Sequence, residues 1–95
     1  MSDRIAMIRE RLEATFNPAQ LEIEDQSAAH AGHAGARNGG HFAVHLVSDA
    51  FAGKTVIQRH RMVYDALGDL MQSEIHALSI KAETTEESNQ EGKHS

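Results

Sequence analysis

The chain predicts an α+β domain in which a three-stranded sheet is covered on one face by helices. Three observations carry that prediction. Apolar residues recur at helical spacing at Ile5, Ile8, Leu12 and Phe16, and again from Ile57 to Leu70. Three other short segments alternate apolar and polar residues with the period of a strand. Their order is helix, strand, long connection, strand, helix, strand, and strands this short suit a small sheet.

The first helix carries Arg4, Arg9, Glu10, Arg11 and Glu13 on its polar face, and Ser2 or Asp3 is its expected cap. Asn17-Pro18 ends it, because the residue before a proline is pushed out of the helical region. Leu21-Glu22-Ile23-Glu24 alternates as a half-buried strand. Residues 26–40 have no periodicity and contain four glycines, so this connection is either functional or poorly ordered. His41 to Ser48 is the clearest strand, with Phe42, Val44 and Leu46 on one side and His41, Ala43, His45 and Val47 on the other. Asp49 to Gly53 is a turn region. A second helix runs from about Thr55 to Met71 on a stripe of Ile57, His60, Val63 or Tyr64, Leu67, and Leu70 or Met71, with a break expected at Gly68. Ile75 to Ala82 is the last strand, with His76, Leu78 and Ile80 sharing one parity. The domain is therefore expected over residues 1–82, followed by an acidic, disordered tail over 83–95 that has no apolar residue and includes His94.

Composition narrows the function. The 95 residues include seven histidines and one proline, but no cysteine and no tryptophan. A disulfide scaffold, a zinc ribbon and a cluster held by this chain's own thiolates are excluded. No apolar run approaches the ~20 residues of a membrane span, so a soluble, cytoplasmic protein is expected. Net charge is −5, of which residues 1–82 carry −2, so a basic nucleic-acid footprint is missing from the chain as a whole. No nucleophile–base pair or paired carboxylates at catalytic spacing appear, and a non-enzymatic role is expected.

Taken in order, several pieces carry a resemblance. They are Leu21-Glu-Ile, Ser27-x-x-His30, His41-Phe-x-Val, Leu46-Val-Ser-Asp-x-Phe51-x-Gly-Lys54, Arg59-His-Arg-x-Val-Tyr64 and Ile75-His-Ala-Leu-x-Ile80. Over roughly residues 4–82 the chain resembles the BolA family. The resemblance implies an αββααβ, class II KH-like fold. It also implies a monothiol glutaredoxin as partner, around a shared [2Fe–2S] cluster, in iron–sulfur maturation or iron regulation. Some bacterial members are DNA-binding regulators of morphology and stress genes, which makes DNA the alternative partner.

A [2Fe–2S] centre takes four ligands, and imidazole can replace thiolate on one iron. A chain without cysteine can hold such a centre only by sharing it, with the glutaredoxin thiolate and glutathione supplying one pair. The resemblance assigns one ligand to His76 and the other to the loop, where the Ser-x-x-His spacing favours His30 and leaves His33 open. Alone, the protein is expected to be a colourless monomer.

Other roles compete for these residues. A strand histidine is ordinarily a hydrogen-bonded polar residue, and His-x-x-His at 30–33 could take a stray zinc or nickel ion. His60 lies on an apolar stripe, which suits a structural histidine. His41 and His45 are expected solvated on the open face. Lys54, Arg59 and Arg61 give residues 51–64 a local charge of +3, which could grip phosphates. The alternative is a solvated, partner-facing or ion-paired surface. A KH-type GxxG clamp is not matched by Phe51-Ala52-Gly53-Lys54.

Overall fold

The computed structural model describes residues 4–26 and 40–92 of the chain. The elements are α1 (Arg4–Phe16), β1 (Gln20–Asp25), β2 (Gly40–Val47), a 3-10 turn (Asp49–Phe51), α2 (Val56–Leu67), α3 (Leu70–Ser73), β3 (Ile75–Glu83) and α4 (Thr85–Gly92). The sheet has the order β1-β2-β3, with β1 antiparallel and β3 parallel to the central strand. A parallel pair needs a long crossover, and α2 with α3 provides it. The expected α+β architecture is the observed one.

The alternation in β2 builds the core. Phe42, Val44 and Leu46 are buried against Ile8, Leu12 and Phe16 of α1 and Val63 and Leu67 of α2. Phe51 closes one end, its ring centroid 4.9 Å from that of Phe16. Ser48 locks the exit of β2: its hydroxyl donates to the Phe16 carbonyl at 2.8 Å and accepts from the Ala50 amide at 3.1 Å. Asn17 ends α1 with φ of 44°, a left-handed cap that asparagine tolerates. Thr55 and Gln58 form a reciprocal capping box that starts α2. Gly68 separates α2 from α3 with φ of 52°, as its sequence position suggested. Beside it, Arg11 reaches from α1 to donate to the Leu67 carbonyl at 3.0 Å and to Asp69 at 3.2 Å.

Four expectations are corrected. The buried stripe of α2 is Arg59, Val63 and Leu67, whereas Ile57 is 66% exposed and Tyr64 41%. A charged residue takes an inward position because its stem packs while its head finds oxygen partners. The acidic tail is not disordered over its first part: Glu83 ends β3, and residues 85–92 form α4. Thr84 and Glu87 cap that helix reciprocally, since the Thr84 amide donates to Glu87 Oε1 and the Glu87 amide to Thr84 Oγ1. The parity of β3 is broken by a bulge, which turns His76 away from Leu78 and Ile80. His45 is not solvated but held between two carboxylates.

The expected cap at Ser2 or Asp3, the loop histidines His30 and His33, and His94 all lie outside the described residues. No helix among the described residues is long and apolar enough to cross a membrane.

Candidate functional site

β3 enters the sheet through a register shift. Gly40 pairs with Ile75, but His41 pairs with Ala77, so His76 is the extra residue of a β-bulge. The bulge lets Ile75 and Leu78, three residues apart, both turn toward the core. It leaves His76 exposed at the start of the strand. The His76 ring lies beside the half-buried ring of His41, with centroids 5.0 Å apart and planes inclined by 44°.

Both ends of the histidine-bearing connection are anchored at this point. The Gln26 amide donates to the His41 carbonyl at 2.7 Å, and the Gly40 amide to the Glu74 carbonyl at 3.1 Å. The chain that carries His30 and His33 therefore leaves and re-enters the sheet next to His41 and His76. Among the described residues, no group of three or more His, Cys, Asp or Glu side chains is placed to hold a metal ion.

His45 occupies the centre of the open sheet face. Its Nε2 is hydrogen-bonded to Glu83 Oε1, and its Nδ1 lies 3.5 Å from Glu22 Oε1. The three residues come from β3, β2 and β1, so the imidazole ties all three strands together. Beside it Glu22, Glu24, Ala43, Ser79 and Lys81 line an open hollow of about 580 Å³ around the small Ala43 side chain.

The three cations expected as phosphate contacts do not share one surface. Lys54 and Arg61 are exposed. Arg59 is turned inward and is corrected as a contact: Nε donates to the Lys54 carbonyl at 3.0 Å and Nη1 to the Ala82 carbonyl at 2.9 Å. Its Nη1 and Nη2 also donate to the two oxygens of Glu87, at 2.7 and 3.1 Å. The hydrogen bonds with Glu87 hold the guanidinium above its usual pKa despite burial. His60, on the same helix, is half-buried.

Two site features were missed from sequence. The bulge leaves no local mark, since it is set by pairing with a distant strand. The second capping box was legible as Thr84-Thr-Glu-Glu87, but the polar run around it pointed to disorder.

Comparison with known proteins identifies the family and the fold. The sequence profile of the family described as BolA-like protein matches residues 12–87. SufE-like protein 1, chloroplastic/mitochondrial, of Arabidopsis thaliana is 46% identical over 93 residues, covering 92% of this chain and 25% of that protein. The chain likewise spans 58% of Protein BOLA1, chloroplastic, of the same plant. The DNA-binding transcriptional regulator BolA of Escherichia coli (strain K12) is 42% identical over 85 residues, covering 85% of this chain and 79% of that protein. Among solved structures, the BolA domain of SufE1 from Arabidopsis thaliana superposes with a TM-score of 0.80 at 48% identity, covering 92% of this chain and 98% of that one. The solution structure of BolA1 from Mus musculus gives 0.80 at 36% identity, covering 97% of this chain and 73% of that one. With the profile spanning most of the described fold and the fold itself shared, the chain belongs to the BolA-like protein family.

Proposed function

We propose that this BolA-like chain is a non-enzymatic partner of a monothiol glutaredoxin, sharing a bridging [2Fe–2S] cluster through His76 and one loop histidine, His30 or His33. The observation that carries this is His76 itself, bulged out of β3 and exposed beside both anchored ends of the histidine-bearing connection. Four residues beyond Gln26, His30 is within about 14 Å of that anchor along the chain, and His33 is within about 25 Å of Gly40.

The donor set suits a shared centre. The chain offers imidazoles and no thiol, so two further ligands come from the partner's thiolate and glutathione. When bound, the cluster would supply transferable iron and sulfide, or a redox-sensitive signal. This chain's part is to hold His76 at the bulge of β3 and to carry the second imidazole on the connection between β1 and β2.

The test is to mix the protein with a cluster-loaded monothiol glutaredoxin and follow visible absorption and circular dichroism. A spectrum that departs from that of the glutaredoxin alone, and that His76→Ala removes, is expected. His30→Ala against His33→Ala then identifies the loop ligand. An unchanged spectrum rejects the shared cluster.

A second function, DNA-binding regulation, is favoured by one observation. Lys54 and Arg61 are exposed within residues 51–64, which contain no acidic residue, and the Escherichia coli relative is named as a DNA-binding regulator. With Arg59 engaged internally, two cations remain for phosphate contact, too few for tight binding at physiological salt. Sequence-specific electrophoretic shifts near physiological salt that Arg61→Ala weakens would favour this function.

A further inference from the structure

We propose that β3 pairs through its outer edge with β3 of a second copy of this chain, antiparallel about a two-fold axis at Ser79, so that two three-stranded sheets become one. The pairing uses the backbone of Leu78 and Ile80 and makes no use of His76, so it is independent of the function proposed above.

The backbone directions carry the inference. In a parallel ladder every second residue turns both its N–H and its C=O to the neighbouring strand. The Ser48 amide donates to the Glu83 carbonyl at 2.8 Å, so Ala77, Ser79, Lys81 and Glu83 face β2. Leu78, Ile80 and Ala82 then turn their backbone groups away from β2, and among the described residues no strand pairs with them there. Arg59 agrees with this direction, since its Nη1 reaches the Ala82 carbonyl from α2 at 2.9 Å. That bond also closes the edge at Ala82 and leaves Leu78 and Ile80 to pair.

One antiparallel register satisfies both residues. With Ser79 opposite its own counterpart, Leu78 of each copy exchanges both backbone hydrogen bonds with Ile80 of the other. The side chains suit that register. On the open face, exposed Ser79 meets Ser79 of the second copy and Lys81 meets Ala77, so no like charges are opposed. On the helical side, Leu78 and Ile80, partly buried against the core, meet each other. The β1 edge is built against the same contact. The Gln26 amide donates to the His41 carbonyl, which makes Leu21 and Ile23 the outward residues of β1. Pairing Leu21 with Ile23 of a second copy would set Glu22 directly opposite Glu22, and the carboxylates repel. Two short edges bury little surface, so the dimer is weak and concentration-dependent, in place of the monomer expected from sequence.

Sedimentation of the full chain between about 10 μM and about 1 mM tests the dimer, the upper end matching the affinity of a small interface. The mean mass should rise toward two chains with concentration. Over the same range amide exchange at Leu78 and Ile80 should slow at least threefold, and that at Ser79 and Lys81, whose amides face β2, by less. Ser79→Glu and Ser79→Lys each set like charges opposite one another and should lower the association constant at least tenfold. An equimolar mixture of the two should recover a heterodimer, because position 79 lies opposite position 79 only in this register. Far-UV circular dichroism checks that each variant is folded, and the exchange measurement on the wild type needs no variant. A mass of one chain at every concentration, undiminished association in folded Ser79→Glu, or a mixture that associates no better than either variant alone overturns the proposal.

Discussion

Arg59 of α2 and Glu87 of α4 form a two-point ion pair, with Nη1 2.7 Å from Oε1 and Nη2 3.1 Å from Oε2. The guanidinium is oriented from behind by the carbonyls of Lys54 and Ala82. One side chain thus joins the start of α2, the end of β3 and the acidic terminal helix. A polar helix without apolar residues is held to the body by this contact and by the Thr85 amide, which donates to Asp49 Oδ1 at 3.4 Å.

The pair predicts acid sensitivity of α4. Hydrogen bonding from Arg59, and then from the Thr84 amide, lowers the Glu87 pKa from 4.5 to about 2. A carboxyl depressed by folding contributes stability that is complete above its unfolded value and is lost as pH falls through its folded value. Docking of α4 should therefore be complete above pH 4.5 and disappear toward pH 2. Amide exchange reads this at Ser88, whose N–H donates to the Thr84 carbonyl at 3.0 Å. Its protection should fall across that window, and Glu87→Gln should abolish the pH dependence.

Replacing Arg59 should cost more than replacing an ordinary surface cation. Arg59→Ala removes hydrogen bonds to two backbone carbonyls and a carboxylate from a buried position. A loss of about 2–4 kcal/mol in urea unfolding is expected, at the scale of charged hydrogen bonds. Arg59→Lys should recover little, because a single ammonium cannot reproduce a fork that meets three groups.

His45→Ala should destabilise the sheet by about 1–3 kcal/mol, the range for a buried polar group that loses its partner. The affected group is Glu83, whose side chain is 10% exposed and hydrogen-bonded to His45. Urea unfolding of His45→Ala, and of His45→Ala combined with Glu83→Gln, checks this. The double variant should be less destabilised than the sum of the single ones.

At the junction between α2 and α3, Gly68→Ala should cost about 1–3 kcal/mol through backbone strain. The position has φ of 52°, and an added Cβ would meet Arg11 Nη1 only at 3.6 Å, an ordinary contact. Thermal unfolding should show the loss, and combining Gly68→Ala with Arg11→Ala should not relieve it, since the strain is in the backbone rather than in crowding.

Much of the fold was legible because its signals are local. The periodicity at Ile8, Leu12 and Phe16, the alternation through Phe42, Val44 and Leu46, and the break at Gly68 each depend on neighbours a few residues away. The stripe on α2 was misplaced by hydrophobicity: Ile57 and Tyr64 face outward, while Arg59 enters the buried row because distant carbonyls and Glu87 satisfy it. The terminal helix escaped notice for the same reason, since its docking partner lies 28 residues away.

By itself, the sequence determined the α+β architecture, the family likeness, and the absence of any thiol for a metal centre. Those follow from residue type and short-range pattern. The tertiary structure alone decided which histidines meet. His41 and His76 are 35 residues apart, and only the bulged parallel pairing of β2 with β3 sets their rings side by side. It likewise withdrew Arg59 from the surface and placed His45 between Glu22 and Glu83, because a side chain's partners are set by strand register and helix docking, which no local pattern encodes.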